Sequence, residues 1–241
     1  MRVSKRFNAR KFCSQRTYRY LFPLDILHRG PTTEDVLIEK LDRFKRVIER
    51  LKGRHPFHNF TTLEKHDTAL RDQHFRQIFS VGCSDPFFLY SHSVSAVEVS
   101  ITGDSFLFNQ IRHLMGASIA VVRGNFPGLL INTTLAPHMN LSVPLAPSES
   151  LILAGSDFKV PESTRNVHLS LEAKMRADLF RLRFIDPSVD RSLRSKDIWD
   201  SFCMRFDKAC VDRFTHAYVD KILGEFDKWY QGKIRRNESR N

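Results

Sequence analysis

The stretch Gly103-Asp-Ser-Phe-Leu-Phe-Asn-Gln-Ile-Arg-His-Leu-Met-Gly116 holds the side chain best placed to do chemistry. Arg112 stands among Ile111, Leu114 and Met115. A guanidinium in apolar surroundings needs a carboxylate, a phosphate or a carbonyl to offset its desolvation. Two readings are open on spacing alone: Arg112 snorkels or pairs structurally, or it is a buried arginine that holds a catalytic acid. A second candidate region lies at the N-terminus. Arg2, Lys5, Arg6, Arg10, Lys11, Arg16 and Arg19 are interleaved with Phe7, Phe12, Tyr18 and Tyr20, and the first twenty residues contain no acid. Cations neutralise phosphates and aromatic faces stack on bases, so this mixture suits a nucleic-acid surface. It also has the look of an Arg-rich targeting segment, although Tyr18 to Pro23 favours a strand.

Periodicity defines the elements that position these residues. Val97, Val99 and Ile101 alternate with Glu98, Ser100 and Thr102, the pattern of a half-buried strand. Gly103 and Asp104 break it, and Asp104 or Ser105 can cap the next element. From Phe106 the period becomes helical through Phe108, Ile111, Met115, Ile119 and Val122, with Gly124 to close the helix. Gly116 leaves space beside this helix. In the strand Arg16-Thr-Tyr-Arg-Tyr20 the alternation puts Arg16, Tyr18 and Tyr20 on one face. Pro31 to Thr33 open another helix, whose stripe of Leu37, Leu41, Phe44, Ile48 and Leu51 ends at Gly53; its charged face reads as solvated surface. Arg54 to Thr61 reads as an irregular aromatic turn in which His58 and Asn59 either satisfy backbone groups or meet RNA. Phe75 to Phe79 forms a strand and Cys83 to Pro86 a turn. Pro127, Pro137, Pro144 and Pro147 mark a long loop region leading to a last strand around Leu151 to Leu153. Beyond Phe158, Val167 to Arg183 and Asp197 to Tyr230 are helical by period, the latter through Trp199, Phe202, Phe206, Cys210, Tyr218, Ile222 and Phe226; residues 233–241 are expected to fray. The fold class is α+β, an antiparallel sheet with helices packed on one face over residues 1–157, followed by a helical basic extension over 158–241.

Composition narrows the partner. Lys and Arg number 38 against 27 Asp and Glu, a net +11 over 241 residues, which favours a polyanion, nucleic acid above all. No stretch approaches the ~20 apolar residues of a membrane span, and no membrane role is expected. Cys13, Cys83, Cys203 and Cys210 form no Cys-x-x-Cys pair and read as reduced intracellular thiols. His55 and His58 have no third ligand nearby, so no metal is expected. Met1 runs straight into basic sequence with no apolar signal segment behind it; the protein is expected to be intracellular, in the nucleus, with mitochondrion or plastid as alternatives.

Four motifs now stand in a telling order: Arg6-Phe-Asn-Ala-Arg10, Arg16-Thr-Tyr-Arg-Tyr-Leu21, Phe57-His-Asn-Phe-Thr61 and Ser105 to Gly116, with Ala146-Pro-Ser-Glu-Ser-Leu151 closing the series. Over residues 2 to 155 the chain resembles the TruA-type pseudouridine synthases, in particular their eukaryotic branch. The resemblance implies isomerisation of uridine to pseudouridine in tRNA or other structured RNA, with no cofactor and no metal. It puts the family's tyrosine, which packs on the target base, at Tyr18. It puts the arginine that pairs with the catalytic aspartate at Arg112. The candidates for RNA contact are Arg10, Arg16 and Arg19, which rest on charge, with His58 and Gln110. The chain departs from the family at Asn109, where histidine is usual, and near Glu149 and Ser150, where a glycine is usual. The family's aspartate lies in an Arg-Thr-Asp segment ahead of the Arg-Phe-Asn-Ala-Arg strand, and no Arg-Thr-Asp occurs in this sequence. The chain is therefore expected to be the C-terminal half of such an enzyme, inactive without the N-terminal half or a homologous subunit. On that view Arg112 is unpaired and the Tyr18 strand has an open edge. A non-catalytic RNA-binding protein derived from such an enzyme, and a basic module that uses its helical tail to bind a protein, are the alternatives.

Overall fold

The computed structural model describes residues 5–61, 72–128, 130–159, 166–167, 170–213 and 216–238. Its frame is one antiparallel sheet. In chain order the strands are β1 (Cys13–Pro23), β2 (Gly53–Pro56), β3 (Phe75–Cys83), β4 (Phe87–Phe88), β5 (Ser95–Gly103), β6 (Leu151–Lys159) and β7 (Asn166–Val167). They lie in the order β2-β3-β5-β1-β6-β7, with β4 also on β5. Helices α1 (Glu34–Glu49), α2 (Gln110–Arg123) and α3 (Leu130–Thr134) belong to the sheet region. The tail carries α4 (Leu171–Phe180), a π-helical turn at Arg181–Ile185, α5 (Asp186–Arg194), α6 (Lys196–Arg213) and α7 (His216–Glu238).

The alternation read from the sequence organises the core. Tyr18, Tyr20 and Phe22 of β1 register with Ile101, Val99 and Val97 of β5. Residues directly opposite in an antiparallel pair share a face, and all of these except Tyr18 are fully or almost fully buried. Phe44 of α1 packs edge-on against Phe22, 5.0 Å between ring centroids. Eleven of the residues of α2 are buried, so this helix is apolar around most of its girth. Gly124 ends it in the left-handed conformation, φ 82°, where a residue without Cβ is unstrained.

Four expectations are corrected. The helix that carries Arg112 begins at Gln110 rather than Phe106, because Asn109 takes a left-handed turn at φ 61°. Asp104 caps no helix: its carboxylate accepts from the Gln77 and Ser105 backbone N–H groups and fixes the β3–β5 corner. Strand β1 has no open edge, since β5 pairs along one side and β6 along the other. Helix α7 continues to Glu238, through much of the stretch expected to fray. The tail helices are tied back to the sheet region. α5 lies against β1, and Asp207 of α6 meets Arg123 at 3.1 Å and Asn125 at 2.6 Å. Trp229 of α7 stacks near His138 at 5.0 Å. Arg2 and the side chains of Phe206, Cys210 and Tyr218 lie outside the described residues.

Candidate active site

The segment after α3 returns along the N-terminal half of α2 and supplies the partners of its polar residues. Arg112 donates from Nε to the Ala146 carbonyl at 2.7 Å and from Nη1 to Asn109 Oδ1 at 3.3 Å. In return Ala146 N–H donates to the Arg112 carbonyl at 3.2 Å. One residue on, the Pro147 carbonyl accepts from the Tyr20 hydroxyl at 2.8 Å. Burial pushes the Tyr20 phenol well above its ordinary range; the Arg112 charge opposes this and Glu149 adds to it. The successive carbonyls of Ala146 and Pro147 therefore bind a guanidinium from α2 and a phenol from β1. Gly116 makes this approach possible, because a Cβ there would stand 2.3 Å from the Pro144 carbonyl oxygen.

Two of the five N–H donors of the Arg112 guanidinium are engaged this way. Among the described residues no carboxylate pairs with it, and Nη2 donates to nothing. So carbonyl oxygens, not an acid, offset the desolvation of Arg112, and one end of its planar fork remains available to a carboxylate or phosphate.

Tyr18 lies two residues before Tyr20 on the same sheet face, at the Gly103 end of β5. It is half-buried, with Phe106 edge-on at 5.3 Å. Gln110 is buried beneath the turn into α2: its Oε1 accepts from Leu107 N–H at 2.7 Å, while its Nε2 has no partner among the described residues. Phe108 stands on that turn and is 75% exposed, although its neighbours are packed. Thr61 fixes the turn by donating to the Phe108 carbonyl at 2.9 Å. Periodicity assigned Phe108 to the helix core; the signal that places it outside is Asn109, a residue type that tolerates the left-handed conformation.

A recess of about 280 Å3 lies on the other flank of α2, lined by His58, Asn59, Thr61, His113 and residues 140–143. His113 Nδ1 is 3.2 Å from the Val143 carbonyl and 3.3 Å from that of Pro144. Carbonyls only accept, so Nδ1 carries the proton and the buried Nε2 is left as a lone pair without a partner among the described residues. Desolvation lowers the His113 pKa; the two carbonyl contacts work against this and the Arg112 charge works with it. His58 is 2% exposed, with Nε2 2.7 Å from the Met139 carbonyl and Nδ1 3.2 Å from that of Pro56. Asn59 accepts from Leu141 N–H at 2.7 Å and donates to Thr134 and Met139 carbonyls. The pair thus staples the 134–141 segment in place.

The structure brings Tyr18, Gln110 and Arg112 into one region and spreads the other candidates. Arg16 is half-buried on the Tyr18 face, and Arg10 is exposed on a turn ahead of β1, its N–H on Asn8. Arg19 points to the reverse face, 3.5 Å from Glu98. Burial raises the Glu98 carboxyl, Arg19 counters it, and Asp186 of α5 raises it further.

A half-buried guanidinium near a helix start, tied through Ala146 and Pro147 to a tyrosine of a paired strand, gives this α+β protein a site for a planar or anionic group. Residues 47–159 match the family model described as tRNA pseudouridine synthase. It is 29% identical over 164 residues to the mouse protein "Pseudouridylate synthase 1 homolog", 66% of this chain and 37% of that one. It is 27% identical over 187 residues to "tRNA pseudouridine synthase 2" of Schizosaccharomyces pombe, 75% of this chain and 40% of the other. To "tRNA pseudouridine synthase A" of Methanocaldococcus jannaschii it is 26% identical over 153 residues, 64% and 55% of the two chains. The chain therefore spans about two fifths of the length of the first two relatives.

Proposed function

We propose that this chain contributes the base-holding and guanidinium-bearing part of an RNA pseudouridine synthase, with tRNA or another structured RNA as substrate. The observation that carries the reading is the fork of Arg112, fixed by Ala146 and Asn109 and open at Nη2. In the reaction the N1–C1′ bond of uridine breaks, a C5–C1′ bond forms, the C5 proton is lost and N1 gains one. Arg112 orients the carboxylate that attacks the nucleotide. That carboxylate comes from sequence equivalent to the unmatched part of the relatives, on the same polypeptide or a companion one. Tyr18 packs on the target base, and Phe108 stacks on a neighbouring one. The target uridine must leave its stack to enter the site, and exposed aromatic faces amid a +11 chain offset that cost. The protein works inside the cell, where its RNA substrates are.

A single series of variants tests this reading by C5 tritium release from tRNA and by RNA affinity, with the remaining sequence of a relative supplied. Tyr18→Leu is expected to lose turnover, Tyr18→Phe to lose much less. Phe108→Ala is expected to weaken RNA binding by about 1–2 kcal/mol without loss of stability. Parent-level turnover for Tyr18→Leu together with parent-level RNA affinity for Phe108→Ala would remove the aromatic part of the proposal.

A further inference from the structure

On the outer side of α1, far from the Arg112 end of α2, three arginines surround one recess. Arg43, Arg46 and Arg50 succeed one another at helical spacing and line a cavity of about 440 Å3, floored by Val47, Val121 and Gly128. All three are exposed, no acid lines the cavity, and among the described residues no carboxylate pairs with any of them. Among the described residues Arg50 reaches the Gly128 carbonyl, at 3.5 Å. Lys40, one turn earlier, donates to the Val122 carbonyl at 3.2 Å and adds a fourth cation to the same side. The helix dipole rewards cations in the last turn of α1, which accounts for Arg46 and Arg50. It does not account for Arg43, nearly two turns from the end. Like charges three and four residues apart repel on a helix surface; Glu39, Asp42 and Glu49 stand at the same spacings along α1, but among the described residues none of them forms an ion pair with these arginines, Glu49 going to Lys52 instead.

We infer that this recess is a phosphate site, and that it grips the backbone of the RNA at a distance from the base being modified. The inference rests on the RNA-directed function proposed above and names a contact surface for it. Arg112 and Val121 are nine residues apart on α2, about 13–14 Å along the axis. The occupant is thus a second part of a structured RNA, not the target nucleotide. Guanidiniums suit phosphate because their forked N–H groups match its oxygens, and the apolar floor accepts a sugar edge.

The test compares the chain with an Arg43→Gln/Arg46→Gln/Arg50→Gln variant, whose fold is checked by circular dichroism because the three side chains are exposed. A single Arg46→Glu change serves as a second, smaller perturbation. Affinity for whole tRNA is measured across salt concentrations. Titration with inorganic phosphate and a nucleoside triphosphate asks whether a free anion is the occupant instead. The triple variant is expected to bind tRNA tenfold or more weakly, with a log–log salt slope shallower by about 2–3. Turnover at saturating tRNA should be unchanged when the remaining sequence of a relative is supplied. Arg46→Glu should move affinity and slope in the same direction. An unaltered slope and affinity in a protein that binds tRNA would overturn this inference and leave the proposed function standing. No tRNA binding by the parent chain would overturn both. Tight, variant-sensitive binding of the triphosphate with tRNA affinity unchanged would assign the recess to a free nucleotide and reject RNA backbone.

Discussion

A guanidinium held by one backbone carbonyl and one side-chain amide oxygen differs in function from one locked to a carboxylate. The orientation of Arg112 is set by Ala146 and Asn109, and among the described residues its Nη2 end has no partner. His113, its neighbour, is held through Nδ1 alone and stays neutral because burial disfavours the imidazolium. Its folded pKa lies below the ordinary 6.5. The unfolded chain therefore takes up the proton first, and the contribution of His113 to stability, complete above pH 6.5, is lost as pH falls towards the folded value. His138, also lowered, works in the same direction. The difference in urea midpoint between the parent and His113→Gln is expected to shift in favour of the variant from about pH 7 to about pH 5. Raised carboxyls such as Glu98 cancel in that difference. A difference that stays constant would show that His113 does not titrate within this range.

At the scale of elements, the close approach of α2 to the 144–147 segment is the feature on which the site depends. Alanine in a helix is ordinarily favoured over glycine by about 1 kcal/mol. At residue 116 the new Cβ would meet a backbone oxygen 2.3 Å away, which cannot swing aside as a side chain could. Overpacking of this kind costs about 1–3 kcal/mol, so Gly116→Ala is expected to be destabilising, read as a lowered Tm. It should also lower turnover by displacing Ala146 from Arg112, with RNA affinity retained. A variant more stable than the parent would mean that the segment is free to move. Local pattern was enough to read β5, α1, the turn out of α2 at Gly124 and the strand face shared by Arg16, Tyr18 and Tyr20. It was enough, too, to mark Arg112 as needing a carbonyl, phosphate or acid. Which of these it meets was beyond local pattern, since Ala146 is 34 residues on. The same applies to β1, whose pairing with β6 joins residues more than 130 apart, as Tyr18 with Leu153. Apolar periodicity also misplaced Phe108, because it records what is hydrophobic and not where the chain turns.

Across the whole molecule the charge is not spread evenly in its use. Arg19 and Arg123 are spent on Glu98 and Asp207, while Arg10 is exposed and Arg43, Arg46 and Arg50 face a cavity without acids. Helix α4 buries nothing, and Leu171, Met175 and Leu179 stand 76%, 57% and 64% exposed along one side of it. The tail thus adds apolar surface to a basic domain, and with β1 paired on both sides the edge of that strand is not an adhesive feature.

The central claim is that Arg112 serves the chemical step and not RNA capture. It is tested most directly by C5 tritium release from uridine-labelled tRNA, with this chain combined with the remaining sequence of a relative, parent against Arg112→Lys. Lysine keeps the charge and loses the fork. Release is expected to fall by a factor of about 100 or more, with the dissociation constant for tRNA within about twofold of the parent. Undiminished release from Arg112→Lys, or a loss wholly explained by weaker tRNA binding, would contradict the account.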